Sequence, residues 1–327
     1  MTWIYTYICT KRRHVVVFIT HRLAAAASRW QMETDERSSS SSSPSCSSYS
    51  PLPPSITRLW RPSAQRNLRN QWSNLNSCRK KWASSSFSAR SHANSLVNAY
   101  LSQKYMPSME LGVLSDMPDI RKKACLKLFK QQESHRSKLL SSYREMVSAV
   151  AQMLKSSRSM RCYVASESSS LLVQFSNSSN DKNDTGDGGG IPVYTFWSIA
   201  SFEQLAEELV EMFVSELNLK RLLVAELMNL SCEDQRVNDL SWSNELYPGE
   251  FDELSPCNLY PKITCQPACP GLMQERSDMS TGKLKSQTSH EILQVYLTTW
   301  LAEANINGHR VEEIFAIVGE EMHVSFA

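Results

Sequence analysis

The chain has 327 residues, 41% of them apolar, and a formal net charge of +2. That near-neutral total conceals a split: residues 1–165 hold 26 of the 35 Lys and Arg and only 8 of the 33 Asp and Glu, and residues 166–327 carry the opposite excess. Ten Gly are about half the usual share and argue against an all-β fold, while nine unevenly spaced Cys argue against a disulfide framework and fit a reducing compartment.

The first 31 residues contain five Lys or Arg and no acid. Their apolar run Val15–Ile19 is too short for a bilayer, which needs ~20 residues, and His21 and Arg22 cut it off from serving as a secretory h-region. Two readings stand. Met32 opens a different composition, METDERSSSSSSPS, and reads as the start of the protein; alternatively, the Arg-rich leader is a mitochondrial or plastid transit peptide. Residues 34–56 are Ser- and Pro-rich, bury little apolar surface and are expected to be disordered, so 1–56 read as leader plus tail.

Residues 57–160 read as a basic region of three helices. The first has Pro62 in its opening turn, followed by an apolar stripe through Ala64, Leu68, Trp72, Leu75, Cys78 and Trp82. A second is expected over 90–105, stopping at Met106-Pro107. A third, from about 117 to 160, has Asp116 as N-cap and Pro118 in its first turn. Along it Leu139, Tyr143, Met146, Val150 and Met153 step by four and three, a heptad seam and the candidate helix-packing interface, to be covered by this chain or by another. Traced back, the register meets Arg136, Gln132, Phe129 and Cys125.

Residues 161–231 combine a small β element with an acidic helix. Arg161–Ala165, Leu171–Phe175 and Ile191–Ile199 are β-prone runs. Gly188–Gly190 between them is a connecting loop, since no Lys follows and Asp181, Asp184 and Asp187 would repel phosphate. Ser201 with Gln204 forms a capping box for a helix to about Leu230. Its Glu203, Glu207, Glu208, Glu211 and Glu216 make an acidic face for solvent or a partner. Residues 232–287 read as an irregular linker. A capping box at Thr288 and Glu291 opens a C-terminal helical hairpin over 288–327, its first helix ending at Asn307-Gly308 and its second spanning 309–322.

The seven His fall in no triad spacing, and dinucleotide, kinase, nucleophile-elbow and paired-zinc patterns are missing. Cys257, Cys265 and Cys269 cluster without a nearby His and read as free thiols. The expectation is a non-enzyme without cofactor or metal. The candidate site for an anionic partner is Arg58, Arg61, Arg66, Arg69, Arg79, Lys80 and Lys81, interleaved with Trp60, Trp72 and Trp82. Nucleic acid, the acidic surface of a microtubule, or this chain's own acidic half would each suit it. Trp72 and Trp82 lie on the apolar stripe and read as core, not as stacking platforms.

The stretches TRLWRPSAQRNLRNQW (57–72) and GIPVYTFWSIASFEQLAEELVEMFVSELNLKRLLVAEL (190–227) resemble a plant-specific family labelled as spindle- or kinetochore-associated, over roughly residues 55–325. The resemblance implies an assembly protein and carries over no site residue. The expected fold is mainly α with a small β element, an elongated coiled-coil-like helical bundle behind a disordered N-terminus. The expected function is a nuclear interaction or scaffold component of spindle, kinetochore or chromosome assembly, with other subunits bound through helices and no membrane. Sequence-nonspecific nucleic-acid binding through residues 57–104 is the alternative, and an imported organellar protein is a third.

Overall fold

A computed structural model describes residues 54–167, 170–174, 185–231, 244–257 and 290–326, and six α-helices lie among them. Helix α1 runs unbroken from Pro54 to Tyr105, so the first two expected helices are one. The Ser84–Ser86 run would weaken an isolated helix, but no Gly or Pro falls between residues 63 and 105 to break it. Ser85 Oγ donates to Glu145 at 2.9 Å and Ser86 Oγ to Glu303 at 3.1 Å. The apolar stripe also continues through buried Ala89, Ala93, Leu96 and Tyr100, so tertiary burial overrides local propensity. Pro62 lies inside the helix rather than in its first turn. It faces solvent, where the absent N–H removes a single helical bond.

Helix α2 (Ile120–Arg158) returns antiparallel to α1 after two 3₁₀ turns, Met106–Ser108 and Gly112–Leu114. Asp116 is not its N-cap. The chain enters through Asp119, held left-handed at φ 59° with no side-chain cap, because Asp116 and Pro118 belong to the connecting turns. Polar contacts fix the register of the pair along its length. Trp60 Nε1 donates to Cys162 O at 2.8 Å, Asn67 Nδ2 to Ser159 O at 2.8 Å, and Gln132 Nε2 to Ala99 O at 3.4 Å.

After α2, strand pairing among the described residues is confined to an antiparallel ladder of β1 (Tyr163–Glu167) with β2 (Ser170–Gln174). The third β-prone run forms no strand: residues 191–198 are an irregular loop, held by side chains instead of a ladder. Arg61 donates to the carbonyls of Pro192 (2.7 Å), Val193 (3.1 Å) and Tyr194 (3.2 Å), and Gln65 to Val193 O at 2.7 Å. Gly188 meets the indole of Trp60, at φ +71° and with no room for a side chain.

Helix α3 (Ile199–Met228) starts two residues before Ser201, with Ser198 at the N-cap, so the expected capping box does not form. It lies antiparallel to α2, with Arg161 on Glu203 at 2.8 Å near one end and Arg136 on the Leu230 carbonyl at the other. Against α1 its Phe213 meets Trp82 edge-to-face, centroids 5.5 Å apart. Helices α1, α2 and α3 therefore enclose the core, and the fold is mainly α-helical.

Part of the expected linker is folded: residues 244–257 contain α4 (Glu250–Leu254) and a 3₁₀ turn, Ser255–Cys257. Thr288 lies outside the described residues, and α5 spans His290–Ala302. Asn307-Gly308 does not end that helix. Asn307 instead opens α6 (Gly308–Met322), its side chain accepting from the Arg310 N–H at 3.1 Å. These two helices are not a free-standing hairpin. Trp300 of α5 donates to Ser86 O of α1 at 3.2 Å, and Phe315 of α6 meets Trp72 edge-to-face at 5.8 Å. Among the described residues no helix is long and apolar enough to cross a membrane.

Candidate interaction surface

The α1–α2 pair carries nineteen Lys and Arg against two acids, Glu133 and Glu145. The structure divides the seven predicted partner-binding cations. Arg61 is engaged with the loop carbonyls above. Arg79 pairs with Glu312 of α6 at 2.8 Å and stacks over Phe315 at 4.5 Å. Arg69 lies 5.5 Å over the Tyr194 ring, and Lys81 reaches Ser148 of α2 at 3.3 Å. Arg58, Arg66 and Lys80 face solvent. Arg79, Lys80 and Lys81 are thus not one compact cluster, because successive residues 100° apart on a helix address different neighbours.

Trp60, Trp72 and Trp82 are all in the core, at 2% exposure or less, which leaves none of them as a platform for a nucleobase. The predicted packing seam is there too: Leu139, Tyr143, Met146, Val150 and Met153 are fully buried. This chain covers its own seam, so those residues are not a free surface for another subunit.

Buried charge is concentrated on α3 and serves the fold. Glu250 of α4 receives Arg221 in two contacts (2.8 and 3.1 Å), the Tyr143 hydroxyl at 2.7 Å and the Leu246 N–H at 2.7 Å. Burial, with Glu250 adding to it, holds the Tyr143 hydroxyl well above its ordinary value. Glu216, expected on an acidic face for solvent or a partner, is wholly buried and paired at 3.0 Å with the equally buried Lys220. Lys220 also donates to Trp300 O, and Glu216 accepts from the Asn305 N–H at 3.0 Å, which seats the end of α5 on α3. Burial pulls the Lys220 ammonium down, and Glu216 opposes the shift. Glu321 of α6 accepts the N–H groups of Thr195, Phe196 and Trp197 at 2.7–3.0 Å.

The rest of the acidic face is mixed. Glu207 and Glu211 are exposed, whereas Glu208 holds Arg310 at 2.6 Å. Burial pushes the Cys162 and Cys257 thiols up to about 11, which keeps both protonated and unsuited to metal or nucleophilic work. Cys265 and Cys269 lie outside the described residues. Among the described residues, no three His, Cys, Asp or Glu come together as a metal site.

One surface lay outside the predicted set. Lys122, Lys123, Lys127 and Lys130, on the first three turns of α2, are exposed, and none has a polar partner among the described residues. Large apolar side chains lie exposed beside them: Leu126 (56%) and Phe129 (41%) on α2, and Tyr105 (43%) at the end of α1. The available signal was the acid-free run Ile120–Gln132, directly before the clean part of the heptad seam. No family model matches the chain, and no curated protein matches it in sequence.

Proposed function

We propose that this is a non-catalytic nuclear interaction protein, a scaffold component of spindle, kinetochore or chromosome assembly. The observation that carries the interaction reading is the α1–α2 pair: nineteen cations on two helices, two acids among them, and a lysine-rich end that this chain's described residues leave unpaired. A uniform excess of one sign on a rigid helical surface attracts an anionic partner and speeds its encounter. Among the described residues the buried carboxylates of Glu216, Glu250 and Glu321 hold loops and helices. The family resemblance of residues 57–72 and 190–227 supplies the nuclear and spindle part of the reading.

The test is imaging of the tagged full-length chain, and of a form starting at Met32, through interphase and division. Nuclear signal that moves to spindle or chromosomes supports the reading, and import of the Met1 form into an organelle overturns it.

A second reading, sequence-blind nucleic-acid binding, draws on the exposed Arg58 and Arg66. With all three tryptophans in the core, such binding would rest on phosphate contacts alone and decline steeply with salt. Duplex binding by the full chain at low and high salt tests it, and no binding at low salt removes it.

A further inference from the structure

Tyr143 and Val150 are fully buried, and each is seven residues from the next of the same row on α2: Lys122, Phe129, Arg136, Tyr143, Val150. Residues seven apart share a helix face, so Phe129 lies on the same side of α2 as Arg136, at the end of α3, and Tyr143, which meets Glu250 of α4. Exposure along the row rises where α3 stops. Helix α3 ends at Met228, and Arg136 binds the Leu230 carbonyl just past it. Beyond Arg136 the furrow between α1 and α2 continues without a third helix among the described residues, and Leu126 and Phe129 on α2 and Tyr105 at the end of α1 are exposed.

The charge there is chiefly positive: from Ile120 to Gln132 α2 carries five cations and no acid, while Glu110, Asp116 and Asp119 stand in the connection before it. Arg121, Lys122 and Lys123 fall in the first turn of α2, which holds no acid. Cations there oppose the positive end of the helix dipole, an arrangement that weakens the helix and that a negative partner would relieve. Lys130 lies on the other side of Leu126, one turn further along. The occupant of the same furrow lower down shows what fits it. Helix α3 buries Phe202, Leu209, Phe213 and Leu217 and turns Glu207 and Glu211 outward.

We infer that the end of the α1–α2 pair is a docking groove for an acidic amphipathic helix of another protein, which continues the line of α3. The partner supplies apolar residues at three- and four-residue spacing to Tyr105, Leu126 and Phe129, and carboxylates to Lys122, Lys123 and Lys130. Exposed aliphatic and aromatic side chains amid the lysines favour a peptide helix over a phosphate backbone, which would leave them wet. This inference rests on the interaction reading above and names the partner class for one end of that surface.

The test uses the full-length chain and a labelled synthetic helix of about three heptads, Leu at the two inner positions and Glu at the flanking ones, followed by fluorescence anisotropy. Its control carries Lys in place of each Glu. The expected result is saturable binding of the Glu helix, none of the Lys helix, and at least a ~10-fold loss with Leu126→Asp or Phe129→Asp, whose melting stays at the wild-type value because both sites are exposed.

Four outcomes overturn the inference. They are no binding of the Glu helix, equal binding of both helices, binding indifferent to both substitutions, and self-association of the wild type that Phe129→Asp abolishes, which would make a second copy the occupant. Each would leave the localisation test of the scaffold reading unaffected, so failure of the groove and failure of that reading are separable.

Discussion

Arg221 on α3 and Glu250 on α4 meet in two contacts, Nε to Oε1 at 2.8 Å and Nη2 to Oε2 at 3.1 Å, with both side chains out of solvent. The carboxylate also accepts from Tyr143 of α2, so one group joins three helices. Glu250→Ala strands a buried guanidinium, a hydroxyl and the Leu246 N–H, and should cost about 3–5 kcal/mol in denaturant unfolding. Replacing the pair together, Arg221→Met with Glu250→Leu, should recover most of that loss, because no charge is then left alone. A double variant as unstable as the single one would show that the hydrogen bonds from Tyr143 and Leu246 dominate.

Trp60 and Gly188 give a second measurable relationship. A Cβ on Gly188 would stand 2.3 Å from the indole Cη2, at a backbone φ of +71° that side chains rarely adopt. Gly188→Ala should therefore destabilise the protein by about 1–3 kcal/mol through overpacking, with backbone strain added. Thermal unfolding of this variant beside Gly190→Ala separates the two causes. Gly190 shares the positive φ, at +75°, but has open space around its Cβ.

The two charged halves meet, but their contact is chiefly apolar. Among the described residues three ion pairs cross between them (Arg79–Glu312, Arg144–Glu253 and Arg161–Glu203), and each keeps at least one partly exposed partner. Exposed pairs contribute about 0–1 kcal/mol and fade with salt, whereas Trp82 against Phe213 is core packing. Unfolding in 1 M NaCl should therefore differ little from that at low salt, while Trp82→Ala should cost about 3–5 kcal/mol at either. A large loss of stability with salt alone would show that electrostatics holds the halves together.

How much of this could be read from the sequence depended on whether the signal was periodic. The seam Leu139–Met153 and the stripe Ala64–Trp82 are legible, because burial on one side of a helix forces three- and four-residue spacing. The continuity of α1 through Ser84–Ser86 is not, because it depends on Glu145 and Glu303, which are far away in sequence. The loop at 191–198 carries β-branched and aromatic residues yet forms no strand, since Arg61, Gln65 and Glu321 satisfy its backbone where a neighbouring strand would. Phe129 could be placed in the register of the core seam. That α3 stops short of it could not, because helix length and register relative to a neighbour are tertiary facts.

His92 of α1 and His135 of α2 face each other with ring centroids 6.1 Å apart. Burial, then repulsion by Lys138, lowers His92 from its ordinary 6.5; burial, then His92 and Lys138, lowers His135. Just below pH 6.5 the unfolded chain binds more protons at these sites than the folded one, so stability falls as pH drops through that window. Glu208, held below its ordinary 4.5 by Arg310, supplies stability that is present above 4.5 and lost beneath it. The double variant His92→Gln, His135→Gln should flatten the stability profile between pH 4.5 and 6.5 and leave the more acidic decline in place. An unchanged slope in that interval would assign it to other groups.

Met146 is the sharpest probe of where the α2 seam packs. Its side chain is fully buried in the core, between Tyr143 and Val150 of the same seam. An aspartate there would place an unpaired charge in an apolar layer with no cation in the row beside it, a burden comparable to the whole stability of many domains. Met146→Asp should therefore abolish cooperative unfolding of the isolated chain, and Met146→Leu, which conserves volume, should cost less than ~1.5 kcal/mol. Phe129→Asp, one heptad row away but past the end of α3, should melt like the wild type. If Met146→Asp melted normally as well, the seam would have to face outward, and the three-helix packing of α1, α2 and α3 would be wrong at its centre.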